Sequence, residues 1–403
     1  MEQNKLDSSQ IIGFLFLIAA FISLLMFQPQ IEEPIENTEI EYQPNVSSQQ
    51  PEPIDNGFIS ENTNIEVLEN EFIILENEDV IFTFATKGAQ ISKSILKKHN
   101  DLDGNFQEII NDNQNFYFES SDLKNIDTSK MFFSYNLNES SLGKEINFSH
   151  IQPSGETIFF NYFIPNNGYL LKLDVYTSGY NRLFSRNSSI NLNWNFDSFK
   201  NSKSQDYENR YTYLNYQDSD KKVRDLSAYS DDDDDDSAKW ISYSQHFFTS
   251  ILIFDDLKND IEFSSSNIDP DKTERKFLKN FKSKIPININ SRGELDQKFE
   301  WYIGPKDYYV IKNYDYQIAD SIYFGWGIFG WINRTIFFPL YNFLSNHFSA
   351  GIAIIIMVIL TRLVMSPVQY KMYLSQAKMK VLKPEITAAT EKFKDDPMKR
   401  QQE

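Results

Sequence analysis

Ala350 to Val368 reads AGIAIIIMVILTRLVMSPV, 19 residues interrupted by one charge, Arg362. As a helix rising about 1.5 Å per residue it reaches roughly 28 Å, close to the hydrocarbon thickness of a bilayer. Core helices of soluble domains are shorter or keep a polar face, whereas this run is apolar on every side except at the arginine. The pattern predicts a transmembrane helix over 350–370. Lys371, Lys378, Lys380 and Lys383 follow directly, and such an excess of cations marks the cytoplasmic side.

Working outward, Ile11 to Phe27 is a second run without a charge, IIGFLFLIAAFISLLMF. Its leader, residues 1–10, has Lys5 beside Glu2 and Asp7, and Gln28-Pro29-Gln30 offers no small-x-small cleavage site. An uncleaved anchor over 11–27 is expected rather than a signal peptide. Two spans leave both termini in the cytoplasm and everything between them outside it. The charge agrees: the 403 residues carry −18 in all, but 28–349 carry −21 and 371–403 carry +3. So acidic a chain does not neutralise phosphates, which argues against nucleic acid as a partner. Without cysteine there is no disulfide framework, thiolate metal centre or thiol nucleophile.

Residues 28–57 are rich in Pro, Glu, Gln and Asn and bury too little to offset their ordering entropy, so a flexible tether is expected. From 58 to 304 the pattern alternates. Ile190, Leu192, Trp194 and Phe196 are interleaved with Asn191, Asn193, Asn195 and Asp197, which reads as a strand with one buried face. Ile158, Phe160 and Tyr162, then Asn166-Asn167-Gly168, then Tyr169, Leu171, Leu173 and Val175 read as a hairpin. Val80 to Ala85, Trp240 to Phe254, Ile285 to Ile289 and Phe299 to Ile303 are further strands, and an antiparallel β sandwich is expected. Ser230 to Ser237, SDDDDDDS, lacks the glycine and carbonyl spacing of a calcium loop and is expected to be a solvated loop. No carboxylate pair stands out for acid/base chemistry, so no catalysis, cofactor or metal is assigned.

Between 305 and 349 the chain is crowded with aromatics around Trp326 and Trp331, with one charge, Arg334, in 323–348. That composition suits a linker followed by an amphipathic helix at the headgroup boundary. Arg362 costs on the order of 2.5–3.5 kcal/mol near the centre of a span, so it either faces a partner or a watery cavity, or snorkels toward the cytoplasmic interface. After the span, Met379, Leu382, Ile386, Ala389 and Phe393 recur at intervals of 3 and 4, a narrow stripe seeking one partner helix. Pro384 is expected to kink or break this helix, and KDDP at 394–397 to turn.

In order, the anchor, ILENEDVIFTFATKGAQI at 74–91, WYIGPKDYYVIKNYD at 301–315 and ILTRLVMSPVQYKMYLSQAKMKVLKPEI at 359–386 resemble the YidC/Oxa/Alb membrane protein insertases, in the bacterial form with a large periplasmic domain. The resemblance implies an inner-membrane protein with 58–304 in the periplasm, which takes nascent membrane proteins into a hydrophilic intramembrane groove and releases them into the bilayer, alone or with the Sec translocon. It implies that Arg362 lies in that groove, and that Pro367 belongs to the family motif. Residues 371–403 would begin a cytoplasmic hairpin whose apolar stripe packs on a partner and which receives substrates or the ribosome. Accessory subunits of the translocon would meet the β domain; no nucleotide or metal is implied. The family core has five transmembrane helices, of which 350–370 matches the first, so an N-terminal fragment is expected. Two other classes compete: a membrane-anchored β-sandwich binding protein for glycan or peptide, for which Arg362 and the basic helix are superfluous, and a surface glycosidase, which lacks a nominated acid pair.

Overall fold

The computed structural model describes residues 69–120, 126–182, 190–269 and 277–392. The anchor at 11–27, the tether at 28–57, Phe393 and the KDDP turn lie outside them. Strands β1 (Phe72–Glu76), β2 (Val80–Ala85), β3 (Gln90–Asn100) and β4 (Phe106–Asn111) form one sheet in that order. The larger sheet holds β5 (Gln114–Ser120), β6 (Ser134–Ser140), β7 (Gly143–Ile151), β8 (Thr157–Pro165), β9 (Leu170–Ser178), β10 (Ile190–Phe199), β11 (Tyr213–Gln217) and β12 (Val223–Asp225). It is completed by β13 (Asp232–Ser244), β14 (Phe248–Asn267), β15 (Phe277–Ile287) and β16 (Asp296–Pro305). The described pairings are antiparallel, as alternating strands joined by short connections favour.

The 20-residue β14 organises the larger sheet. Its first part, Phe248–Phe254, pairs with β16, and its last part, Glu262–Asn267, with β15, while β13 runs beside both. Register shifts around Ala238 and a positive φ of 56° at Asp260 mark the irregularity between the two parts, and such interruptions bend a strand pair. One arm continues β15, β10, β5 and the other β16, β9, β8, β7, β6. Aromatic rings join the arms: Trp194 on β10 meets Trp301 on β16 edge-on at 5.6 Å, and Phe118 on β5 meets Phe160 on β8 at 5.8 Å. Trp194 also stacks on Tyr243 at 3.8 Å, whose hydroxyl donates to the Trp194 carbonyl and pairs with the Ser283 hydroxyl, both at 2.8 Å. The four-stranded sheet joins the same core where Phe84 packs on Tyr162 and the Tyr162 hydroxyl donates to the Ala89 carbonyl.

The hairpin read from 158–175 is β8–β9, with Phe160 opposite Val175 and Tyr162 opposite Leu173. Gly168 in its turn has φ +88°, and a Cβ there would sit 2.8 Å from Tyr314 Oη, so glycine is required twice over. Three expectations are corrected. Trp240 to Phe254 is two strands, broken by a turn at 245–247. The polyaspartate is not a loop: Asp232–Asp236 form the start of β13, paired with Ile261–Ser265. Alternation sends successive carboxylates to opposite faces; on one of them Asp234 accepts from Tyr216 Oη at 2.5 Å and Asp232 from the Ser227 amide at 2.7 Å. The asparagines of β10 were expected to face water, yet Asn191 and Asn193 are buried, because β10 lies inside the arm between β5 and β15.

The core also runs past residue 304, taking in Ile311, Ile318 and Ala319. Short helices α1 (Gln205–Asn209) and α2 (Tyr308–Ile311) decorate the sheets, and α3 (Gly327–Ile332), a π-helical turn (Asn333–Phe337) and α4 (Phe338–Ser345) lead to α5 (Ala350–Lys392).

Candidate functional site on the long helix and its collar

Helix α5 has 43 residues, about 65 Å at helical rise, and contains both Pro367 and Pro384. The break expected at Pro384 does not occur. A proline has no N–H to give the carbonyl four residues back, which for Pro367 is that of Leu363. Ser366 supplies the substitute: its hydroxyl donates to the Leu363 carbonyl at 2.8 Å. Thr361 likewise donates to the Met357 carbonyl at 2.7 Å. The Ser-Pro pair thus carries the helix through a position that would otherwise leave a backbone acceptor without a donor.

Only the start of α5 is covered, at Ile352 and Ala353; residues 362–388 are all exposed. The segment Ala350–Ala388 is long and apolar enough to cross a membrane, with almost none of its most apolar stretch buried by the protein. Arg362 stands on this bare helix, and among the described residues no acidic side chain pairs with it. Stepping about 100° per residue, Ser366, Gln369, Tyr373, Gln376 and Lys380 fall within roughly 40° of Arg362 on the same face. Met379, Leu382 and Ile386 are exposed and lie roughly 100–160° away from that stripe; Ala389 continues their spacing, and Phe393 lies beyond the described residues. The helix therefore keeps Arg362 and the apolar stripe apart, on different faces. Arg362 is a lone charge in the apolar run, and its polar neighbours emerge only at the helical spacing of 4 and 3 residues.

Ahead of α5, a collar of short helices hangs from the exit of β16. Arg334 in the π-helical turn donates through Nη1 to Asp320 at 2.9 Å and through Nε to Tyr308 Oη at 3.2 Å. Phe338 stacks on Tyr309 at 5.2 Å and meets Phe324 and Tyr308 edge-on. Gly330 lies so close to Gly325 that a Cβ on it would be 2.1 Å from the Gly325 oxygen, so the turn into α3 admits no side chain there. Tyr323, Trp326, Phe329 and Trp331 of the collar are each more than half exposed. Rings in that state suit a headgroup layer better than bulk water.

Lys306, just after β16, fastens this exit. Its ammonium donates to the Gln245 carbonyl and Tyr213 Oη at 3.2 Å and to the Tyr211 carbonyl at 3.4 Å, and lies over the Tyr213 ring. Burial pushes its pKa down to about 7. His246 stacks on Tyr211 close by, and burial first, then the Lys306 charge, hold its pKa below the ordinary value. No sequence signal pointed to Lys306, since its partners lie 61 to 95 residues away.

Two family models match the chain, the YidC periplasmic domain over residues 73–339 and the 60Kd inner membrane protein family over 339–403. A membrane protein insertase YidC of Phocaeicola vulgatus is 29% identical over 347 residues, covering 82% of this chain and 55% of the relative. One of Parabacteroides distasonis is 25% identical over 351 residues, covering 82% and 54%. That of Azobacteroides pseudotrichonymphae is 24% identical over 408 residues, covering 94% and 65%. The chain thus spans little more than half the length of the first two. Among solved structures, a mutarotase-like protein of Salmonella typhimurium is 9% identical with a TM-score of 0.36, covering 59% of this chain and 91% of its own. Since the periplasmic-domain match takes in both sheets and the collar, and the inner-membrane match takes over just ahead of α5, the chain belongs to the YidC family.

Proposed function

We propose that this chain is the N-terminal part of a membrane protein insertase, in which α5 is the first wall of a hydrophilic groove in the inner membrane and Arg362 contacts the polar parts of nascent membrane proteins. The observation that carries this is Arg362, with Ser366 and Gln369 on its face, on the apolar, uncovered first half of α5. A plain anchor gains nothing from a guanidinium inside hydrocarbon; a groove that holds peptide groups during transfer reduces a desolvation cost of several kcal/mol per unsatisfied group. Further helices, supplied by the remainder of the protein, close the groove.

In this reading 11–27 is an uncleaved anchor, 28–57 a periplasmic tether, the β domain a periplasmic sandwich, the collar a surface-lying segment and 371–403 the start of a cytoplasmic hairpin. Pro367, with Ser366, keeps α5 continuous, and the Met379, Leu382, Ile386, Ala389, Phe393 face packs on the hairpin's second helix. Sec translocon subunits and the ribosome are the proposed partners.

A photo-crosslinking residue at position 362 of the full-length protein tests the reading, with position 364, on the opposite face, as its control. Adducts to a ribosome-bound nascent membrane protein are expected at 362 and lipid adducts at 364. Lipid adducts alone at both positions would refute the groove. A second reading, a glycan- or peptide-binding β domain, has one observation in its favour: a polar groove of about 1030 Å³ where Asn193, Lys284, Glu262 and Asp235 stand in one row across four strands.

A further inference from the structure

A groove of about 840 Å³ separates the β domain from the collar. Its walls are β11, β12 and the turn after them on one side, and residues 320–334 on the other. Two polar groups in it lack partners although their residues are 1% exposed: Asn215 Oδ1 and Ser321 Oγ. The Asn215 amide is fixed in orientation, because its Nδ2 donates to the Ser321 carbonyl at 3.0 Å, so its oxygen is left as an acceptor without a donor. Asp225 lines the same groove, with no cationic partner among the described residues, and partial desolvation raises its pKa above the ordinary carboxyl value. On the collar side, Arg334 uses Nε and one Nη1 bond on Tyr308 and Asp320, leaving its other N–H groups unassigned. Exposed Tyr323 and Trp331 continue the lining.

The two sides thus ask for different chemistry, with Arg210 the one cation on the β-domain side of the lining. An unpartnered amide oxygen beside a carboxylate calls for a cation that can donate N–H bonds; a half-used guanidinium calls for a phosphate oxygen. Aromatic rings at the rim call for an apolar continuation. We propose that this groove binds the phosphoethanolamine headgroup of a membrane glycerophospholipid, its ammonium on Asp225 and Asn215, its phosphate on Arg334 and its acyl chains along Trp331. A choline headgroup carries the same charge but has no N–H, and a glycerol headgroup has no cation. The proposal rests on the reading of the collar as a segment lying on the membrane surface.

The test uses the full-length protein in mixed micelles containing equal amounts of phosphatidylethanolamine, phosphatidylcholine and phosphatidylglycerol, with retained lipid identified by native mass spectrometry. Charged hydrogen bonds of this kind correspond to about a tenfold preference for phosphatidylethanolamine over phosphatidylcholine. Asp225→Asn, an exposed position expected to fold, should remove most of that preference, and Arg334→Gln should lower retention of all three lipids. Equal retention of the three by the wild type, or an unchanged preference in Asp225→Asn, overturns the site. In parallel, lipids brominated near the headgroup should quench tryptophan fluorescence, and less so in a Trp326→Phe/Trp331→Phe variant. Quenching without headgroup preference overturns the site alone; no quenching from these positions overturns the surface reading and the site with it.

Discussion

Replacing Ser366 by Ala should destabilise α5 only because Pro367 follows it. In the native helix the Leu363 carbonyl has lost its amide partner to the proline and accepts the Ser366 hydroxyl at 2.8 Å instead. Removing that hydroxyl leaves the carbonyl bare within the apolar span, at a cost of about 1 kcal/mol, between the average and the largest values for single hydrogen bonds in membrane helices. If Pro367 is first changed to Ala, its restored N–H reaches the Leu363 carbonyl, and Ser366→Ala then costs less than about 0.3 kcal/mol. The two changes should therefore couple by roughly 0.7 kcal/mol or more, which exceeds the usual scatter of additive pairs. The four proteins of the cycle, full length in mixed micelles, would be unfolded by titration with a denaturing detergent and followed by circular dichroism. Equal costs for Ser366→Ala in both backgrounds would show that the hydroxyl does not replace the missing amide. Alanine at both positions should also leave crosslinking from position 362 intact, because the helix itself is preserved.

Gly330→Ala places a methyl group 2.1 Å from the Gly325 oxygen, so the collar must shift; a loss of about 1–3 kcal/mol in thermal unfolding is expected, with a change in tryptophan emission. A collar that tolerates alanine with neither change would contradict the close approach. Lys306→Met should cost about 1–3 kcal/mol by stripping the Gln245 and Tyr211 carbonyls and Tyr213 of a shared donor; a neutral outcome in urea unfolding would show water replaces it. For His246 the sign follows from its pKa, which burial holds below the ordinary 6.5. The unfolded chain takes up its proton first, so stability is full above about pH 6.5 and falls as the pH drops toward the folded value. His246→Phe should flatten that fall between about pH 7 and pH 5; an unchanged slope would exonerate this histidine.

Alternation and apolar length made much of the architecture legible. Val80–Ala85 was read residue for residue, and the hairpin over 158–175 came from the Asn-Asn-Gly turn between two period-2 runs. What failed was long-range. Charge repulsion argued against a strand at Asp232–Asp236, yet pairing with β14 and donors from Tyr216 and Ser227 hold it, and these contacts do not exist in any local window. Gln245–Phe247 looked like mid-strand because His and Phe carry no turn signal. At the candidate site Arg362 was visible as a lone charge, whereas Lys306 and the Asn215–Ser321 groove were not, since each is assembled from segments about a hundred residues apart.

The double membership of β14 has a consequence for the order in which the molecule is made. The β5–β10 pair is present in sequence by residue 199 and the β6 to β9 ribbon by 178, but neither is joined to β14 until β15 and β16 have been synthesised, the last ending at Pro305. Until then the growing polypeptide carries two unfinished ribbons with open edges, and contacts between such distant segments form slowly. α5 begins at Ala350, only 45 residues after that closure point. The β domain and the long apolar helix therefore emerge almost together, and little chain separates the closure of the one from the arrival of the other.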